Sequence, residues 1–210
     1  MTKNTPTSIP NATTGDALLQ RDFSSDNEYP NIADLSSRIK FAPDEGRIWL
    51  DERRMFLMHN RAFGELRREI IDQFGKPAAR KVLTRMGYES GTLDAQLAIK
   101  VRSNKEPFDA FSVGPQLHAL LGIVKVECTE FELDYATGKF YSEYLWFDSI
   151  EDDANIQHFG IGADNACWMQ IGYACGYSTA FLGRPILYRE VECRSTGSKN
   201  CRIIGKPVDD

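Results

Sequence analysis

The apolar residues change period once, near residue 122, and this restricts the fold more than any other feature of the chain. Before the change, Met55, Met58, Phe63, Leu66, Ile70 and Phe74 recur at three- to five-residue steps across 51–74, which is the spacing of one helix face. Gly75 followed by Lys76-Pro77 predicts the end of that helix and the first turn of another, since proline there gives up an amide that has no helical partner anyway. Val82, Leu83 and Met86 carry the second helix to Gly87, and 93–101 and 114–121 read as two more. After the change, 123–128 and 139–148 alternate or run β-branched and aromatic, with 134–138 as the turn of a hairpin. Asn165 is placed to cap a helix from about Ala166 to Leu182. Its Gly172 and Gly176 share a face and would admit another backbone, at about 1 kcal/mol each in helix propensity. A second hairpin, 185–192 with 201–204, follows. Helices, hairpin, helix, hairpin predict an α+β fold in which N-terminal helices pack with an antiparallel sheet.

Residues 1–30 are rich in Thr, Asn, Ser, Asp and Pro and are expected to form a flexible arm, leaving one domain over 31–208. The net charge of −5 argues against direct nucleic-acid binding, and no apolar run approaches the roughly 18 residues that span a bilayer. Without a secretory pattern at the N-terminus, a cytoplasmic setting is expected. Five cysteines in such a reducing setting favour metal binding or burial over disulfides.

Cys193 and Cys201 flank a turn, and Cys167 stands near a helix start, where it could supply a third thiolate. Zinc takes four ligands in tetrahedral geometry, and a site filled by protein groups is structural. Such a site contributes on the order of 10 kcal/mol to local folding. Glu190, Glu192, Cys175 and His158 all qualify chemically as the fourth ligand. Strand alternation does not choose among them, because in a regular strand Cys193 points away from both glutamates.

His118 sits on a short apolar helix, Tyr144 and Trp146 share a strand face, and Tyr173 and Tyr177 are one helical turn apart. Taken singly, each reads as core. Together with Phe111 and Tyr188 they could wall a cavity for a phenol-like ring, because a neutral imidazole and an indole N–H can satisfy one hydroxyl. Leaving that hydroxyl unpaired would cost about 1–3 kcal/mol. The chain has no phosphate loop, no complete dinucleotide loop, no HExxH and no GxSxG, and the run Glu151-Asp152-Asp153 reads as a solvated loop.

Several dispersed motifs resemble one family. They are Glu45-Gly-Arg-Ile-Trp-Leu50, Arg85-Met-Gly-Tyr-Glu-Ser-Gly91, Gly114-Pro-Gln-Leu-His118, Cys167-Trp168, Gly172-Tyr-Ala-Cys-Gly-Tyr177 and Cys201-Arg-Ile-Ile-Gly-Lys-Pro207. The family is the amino-terminal sensor of the sigma-54-dependent activators that respond to phenols and xylenes, and the resemblance covers about 31–208. It implies a dimeric 4-vinyl reductase-type fold with no enzyme activity, braced by structural Zn2+. It also implies a hydroxyl held by His118 and Trp146, ring walls from Phe111, Tyr144, Tyr177 and Tyr188, and zinc ligands Cys167, Glu190, Cys193 and Cys201. At Tyr144 some relatives carry Phe or another apolar group, which leaves the preferred ring substituents open. In the intact regulator a AAA+ ATPase and a DNA-binding domain would follow, acting with sigma-54 RNA polymerase. An aromatic ligand would relieve repression of that ATPase. The alternatives are a tetrapyrrole-binding or reductase-related domain and a plain dimerisation module.

Overall fold

The computed structural model describes residues 19–21, 29–134 and 137–209. In chain order these form β1 (Leu19–Arg21), α1 (Ala33–Ser36), β2 (Ile39–Ala42), β3 (Arg47–Leu50), β4 (Arg53–Met55), α2 (Asn60–Arg102), α3 (Pro107–Phe111) and α4 (Val113–Leu120). Then come β5 (Lys125–Asp134), β6 (Lys139–Phe147), α5 (Ile150–Phe159), α6 (Trp168–Leu182), β7 (Ile186–Glu192) and β8 (Cys201–Pro207). One antiparallel sheet has the order β1-β5-β6-β8-β7, and β2, β3 and β4 form a separate three-stranded meander. The expected α+β class holds, with β5–β6 and β7–β8 as the two hairpins and β6 paired to β8 between them. Of the expected arm, Leu19–Arg21 pair with β5, Tyr29 and Pro30 are half-buried, and the remaining residues lie outside those described.

The first helices differ from their expected bounds. Residues 51–59 are not helical: Asp51 turns with φ of 56° and Arg53–Met55 pair with β3. The meander holds these residues, so Met55 and Met58 do not belong to the helix face. The break at Gly75 is real (φ 79°, ψ 159°), but it kinks one long helix instead of separating two. Neither Gly87 nor the next residues interrupt α2, which continues to Arg102.

The glycines explain why. A Cβ on Gly87 would lie 1.9 Å from the Met169 carbonyl oxygen, and one on Gly172 would lie 2.0 Å from that of Thr84. Gly176 and Gly91 are equally close to the facing backbone. Thus α2 and α6 touch backbone to backbone, and glycine in mid-helix is a contact requirement instead of a stop signal. The close approach expected of Gly172 and Gly176 is therefore met by α2.

The acidic run is also placed differently from expectation. Ser149 caps α5 by accepting from the Asp152 amide, and Glu151 and Asp152 are fully buried in its first turn. Glu151 meets Arg67 at 2.9 Å and accepts from the Gln170 amide at 2.9 Å, tying α2, α5 and α6 together. Asn165 does not cap α6, whose N-cap is Cys167. Its side chain donates to the Glu190 carbonyl at 2.7 Å instead.

Along β6, Phe140, Ser142, Tyr144 and Trp146 are buried while the residues between them are more exposed. That strict alternation puts four consecutive inward positions of one strand opposite α6 and the α3–α4 corner. No helix among the described residues is long and apolar enough to cross a membrane.

Candidate ligand pocket and metal centre

Five elements converge on a small cavity. α3 and α4 supply Phe111, Pro115 and His118, β5 supplies Val126, and β6 supplies Tyr144 and Trp146. α6 supplies Tyr173, Ala174, Tyr177 and Ser178, and β7 supplies Tyr188. All six residues expected around a ligand thus share one space. Its atom-free volume, mouth included, is about 340 Å³, of which about 30 Å³ admits the centre of a water molecule. This lies at the small end of ligand sites, which run roughly 300–1,000 Å³, and suits a single ring.

Tyr173, Ala174 and Ser178 were not expected in the wall. Ala174 and Ser178 are one turn apart on α6, beside the Tyr173–Tyr177 pair, so two neighbouring rows of that helix face the cavity. Helix periodicity gave no hint of this, because the opposite face of α6 is glycine packed on α2.

The hydrogen bonds separate fixed groups from free ones. Tyr177 donates to the Phe111 carbonyl at 2.8 Å, and Tyr173 donates to Asp94 at 2.8 Å. Tyr188 is bonded to Ser142 at 2.7 Å and accepts from Ser178 at 3.1 Å. Neither the His118 imidazole nor the Trp146 indole N–H is hydrogen-bonded to another described residue. Burial alone pushes the His118 pKa down to about 3, so the ring is neutral and can accept or donate. Tyr173 packs against it, with ring centroids 3.9 Å apart.

A second cluster lies where α5, α6, β7 and β8 meet. Asp152, Cys167, Glu190, Cys193 and Cys201 each offer a ligand atom, all within 4.8 Å of one another. The Cys167 and Cys201 sulfurs are 3.8 Å apart. With a Zn–S bond of about 2.3 Å, a tetrahedral edge is also about 3.8 Å, so these thiols stand at the separation zinc requires. Glu190 Oε1 is buried without a hydrogen-bond partner, which suits a group reserved for a cation. Burial raises Glu190 to about 9 and Asp152 to about 6, as expected for acids crowded together away from water.

The parity problem is resolved by a bulge. Glu190 faces Ile203, but Glu192 faces Arg202, so the register slips at Val191 and Glu190 comes round to the Cys193 side. Glu192 pairs with Arg202 on the surface, Cys175 accepts from the Tyr188 amide, and His158 lies against Gly64 and Glu65. None of these three is in the cluster. Asp152, which sequence reading assigned to a solvated loop, is in it, 2.7 Å from the Cys201 sulfur and 3.1 Å from that of Cys193.

Comparison with known proteins matches two family models in succession. Residues 34–134 match the model described as activator of aromatic catabolism, and 146–207 match the 4-vinyl reductase domain. The chain is 39% identical over 180 residues to the phenol regulator MopR of Acinetobacter guillouiae, covering 86% of this chain and 32% of MopR. It is 40% identical over 183 residues to the transcriptional regulatory protein XylR of Pseudomonas putida, covering 87% and 32%. It thus spans about a third of the length of these relatives. The crystal structure of the phenol-responsive sensory domain of the transcription activator PoxR with phenol superposes with a TM-score of 0.83 at 45% identity. That match covers 85% of this chain and 89% of the PoxR chain. The chain belongs to the sensory-domain family of the activators of aromatic catabolism.

In this sensor domain the pocket is built across both matched segments. Phe111 and His118 lie in the first, and Trp146, Tyr177 and Tyr188 lie in the second. The possible metal ligands fall wholly within the second. The sensor's pocket is also tied to the meander, because Asp94 accepts from Tyr173 and is paired with Arg53 of β4.

Proposed function

We propose that this sensor domain holds phenol or a methylphenol, with the hydroxyl between His118 and Trp146 and the ring among Phe111, Tyr144, Tyr177 and Tyr188. One observation carries the reading: the cavity is walled by aromatic rings, and its imidazole and indole have no hydrogen-bond partner among the described residues. A neutral imidazole beside an indole N–H matches one acceptor and one donor to a single hydroxyl. The similarity to the phenol-bound PoxR domain supports the same ligand class.

Cys167, Glu190, Cys193 and Cys201 would hold Zn2+, with Asp152 beside them. The ion would be structural, balancing buried thiolates and fixing the β7–β8 turn to the start of α6. Since α6 carries Tyr173 and Tyr177 and β7 carries Tyr188, that brace would position three walls of the pocket. A homodimer fits the surface. Val82, Met86 and Leu93 of α2 are exposed and fall within an arc of about 40°, with Phe56, Leu57 and Met58 exposed just before the helix.

In the whole regulator, in the cytoplasm, ligand binding would relieve repression of a AAA+ ATPase that works with sigma-54 RNA polymerase on DNA. It can do so only by favouring the active arrangement over the inhibited one. The domain itself is read as non-catalytic.

Calorimetry tests the ligand reading. Phenol should bind the purified domain, and His118→Ala should weaken it at least tenfold, about 1.4 kcal/mol. Wild-type protein that ignores phenol, cresols and xylene alike would favour a plain dimerisation module.

A further inference from the structure

Four tyrosines face the cavity, and three have their hydroxyls committed. Tyr173 is held by Asp94, Tyr177 by the Phe111 carbonyl, and Tyr188 by Ser142 and Ser178. The fourth differs: Tyr144 is 4% exposed, and its hydroxyl is buried with no hydrogen-bond partner among the described residues. The Ser142 hydroxyl is near enough to influence its ionisation but is itself bonded to Tyr188. Buried hydroxyls are nearly always paired, so an unpaired one in the wall of a ligand site marks a place where a ligand atom belongs. Tyr144 also lies two residues before Trp146 on the same face of β6, and its ring centroid is 6.5 Å from that of Tyr188. The cavity therefore has two polar places: the His118–Trp146 pair, and Tyr144 beside the Tyr188–Ser142–Ser178 group.

We propose that Tyr144 is a specificity-determining residue that selects phenols bearing a second oxygen substituent, a dihydroxybenzene or a methoxyphenol, over the corresponding methylphenols. This rests on the reading of the cavity as a phenol site. The first hydroxyl occupies the His118–Trp146 pair, and the second oxygen meets the Tyr144 hydroxyl. A methyl group at the same ring position buries comparable area but leaves that hydroxyl unpaired. A tyrosine hydroxyl can donate or accept, so both a hydroxyl and an ether oxygen serve. The small volume limits the ligand to one ring with one short second substituent.

The test is calorimetric titration of wild-type domain and Tyr144→Phe with phenol, the three methylphenols, the three dihydroxybenzenes and their monomethyl ethers. Wild type should bind the best dioxygenated isomer about tenfold tighter than the methylphenol of the same ring position, about 1.4 kcal/mol. Tyr144→Phe should lose most of that ratio while its affinity for phenol stays within about twofold, since a single hydroxyl keeps both of its partners. A ratio unchanged in Tyr144→Phe overturns the proposal. So does wild type that prefers methyl at all three ring positions, a result that needs no variant. Phenol binding with either outcome leaves the phenol reading standing, whereas wild type that binds no phenol overturns both.

Discussion

Replacing Trp146 by Phe removes one hydrogen-bond donor from the cavity while keeping a flat apolar wall. Trp146 is 3% exposed, and its indole N–H has no partner among the described residues, so the substitution breaks no bond within the protein. A phenol hydroxyl bound there would lose one of two partners in a site that burial keeps dry. Leaving a buried polar group short of a partner costs about 1–3 kcal/mol, or roughly 5- to 150-fold in affinity. The smaller ring also gives up wall contact, and that loss falls equally on a ligand with no hydroxyl. Toluene is the control. Competition calorimetry should show the phenol-to-toluene affinity ratio falling about tenfold or more in Trp146→Phe, with the loss almost entirely in phenol. If phenol and toluene weaken by the same factor, the indole is merely a wall and the assignment of the hydroxyl to it fails.

Because burial holds His118 at about 3, its ring stays neutral across ordinary buffers and phenol binding should be flat from pH 5 to 8, as calorimetry at matched ionic strength would show. The same depressed value predicts acid sensitivity: this contribution to stability is complete above the unfolded value of about 6.5 and is lost as pH falls toward 3, at up to about 1.4 kcal/mol per pH unit. Thermal melts of His118→Phe should be less steeply pH-dependent in that window. Stripping metal with a strong chelator should lower Tm markedly, because a structural zinc contributes on the order of 10 kcal/mol to local folding. Amide exchange should rise first in β7, β8 and the start of α6, and an unchanged melt would argue against a resident ion. Gly172→Ala would put a Cβ 2.0 Å from the Thr84 carbonyl oxygen, so α2 and α6 must separate. Overpacking of that kind costs about 1–3 kcal/mol, a fall of roughly 3–10 °C by scanning calorimetry.

The sequence by itself determined the class of fold, the two hairpins and the residues of the pocket, because each is written in local pattern. The change from helical to alternating period fixes which segments are strands, and β6 alternates so regularly that Tyr144 and Trp146 had to share a face. What bears on a pattern only through a distant neighbour was not legible. The glycines of α2 read as stops because their reason is the backbone of α6, far along the chain. Asp152 read as solvated because its burial depends on α5 packing against two cysteines some forty residues later. The bulge at Val191 turns Glu190 toward Cys193, and only pairing with β8 reveals it. Which hydroxyls are already taken is likewise a tertiary matter: Tyr173, Tyr177 and Tyr188 find partners on α2, α3 and β6, and Tyr144 does not. Local spacing names the groups that a site contains; packing decides which of them remain free to bind.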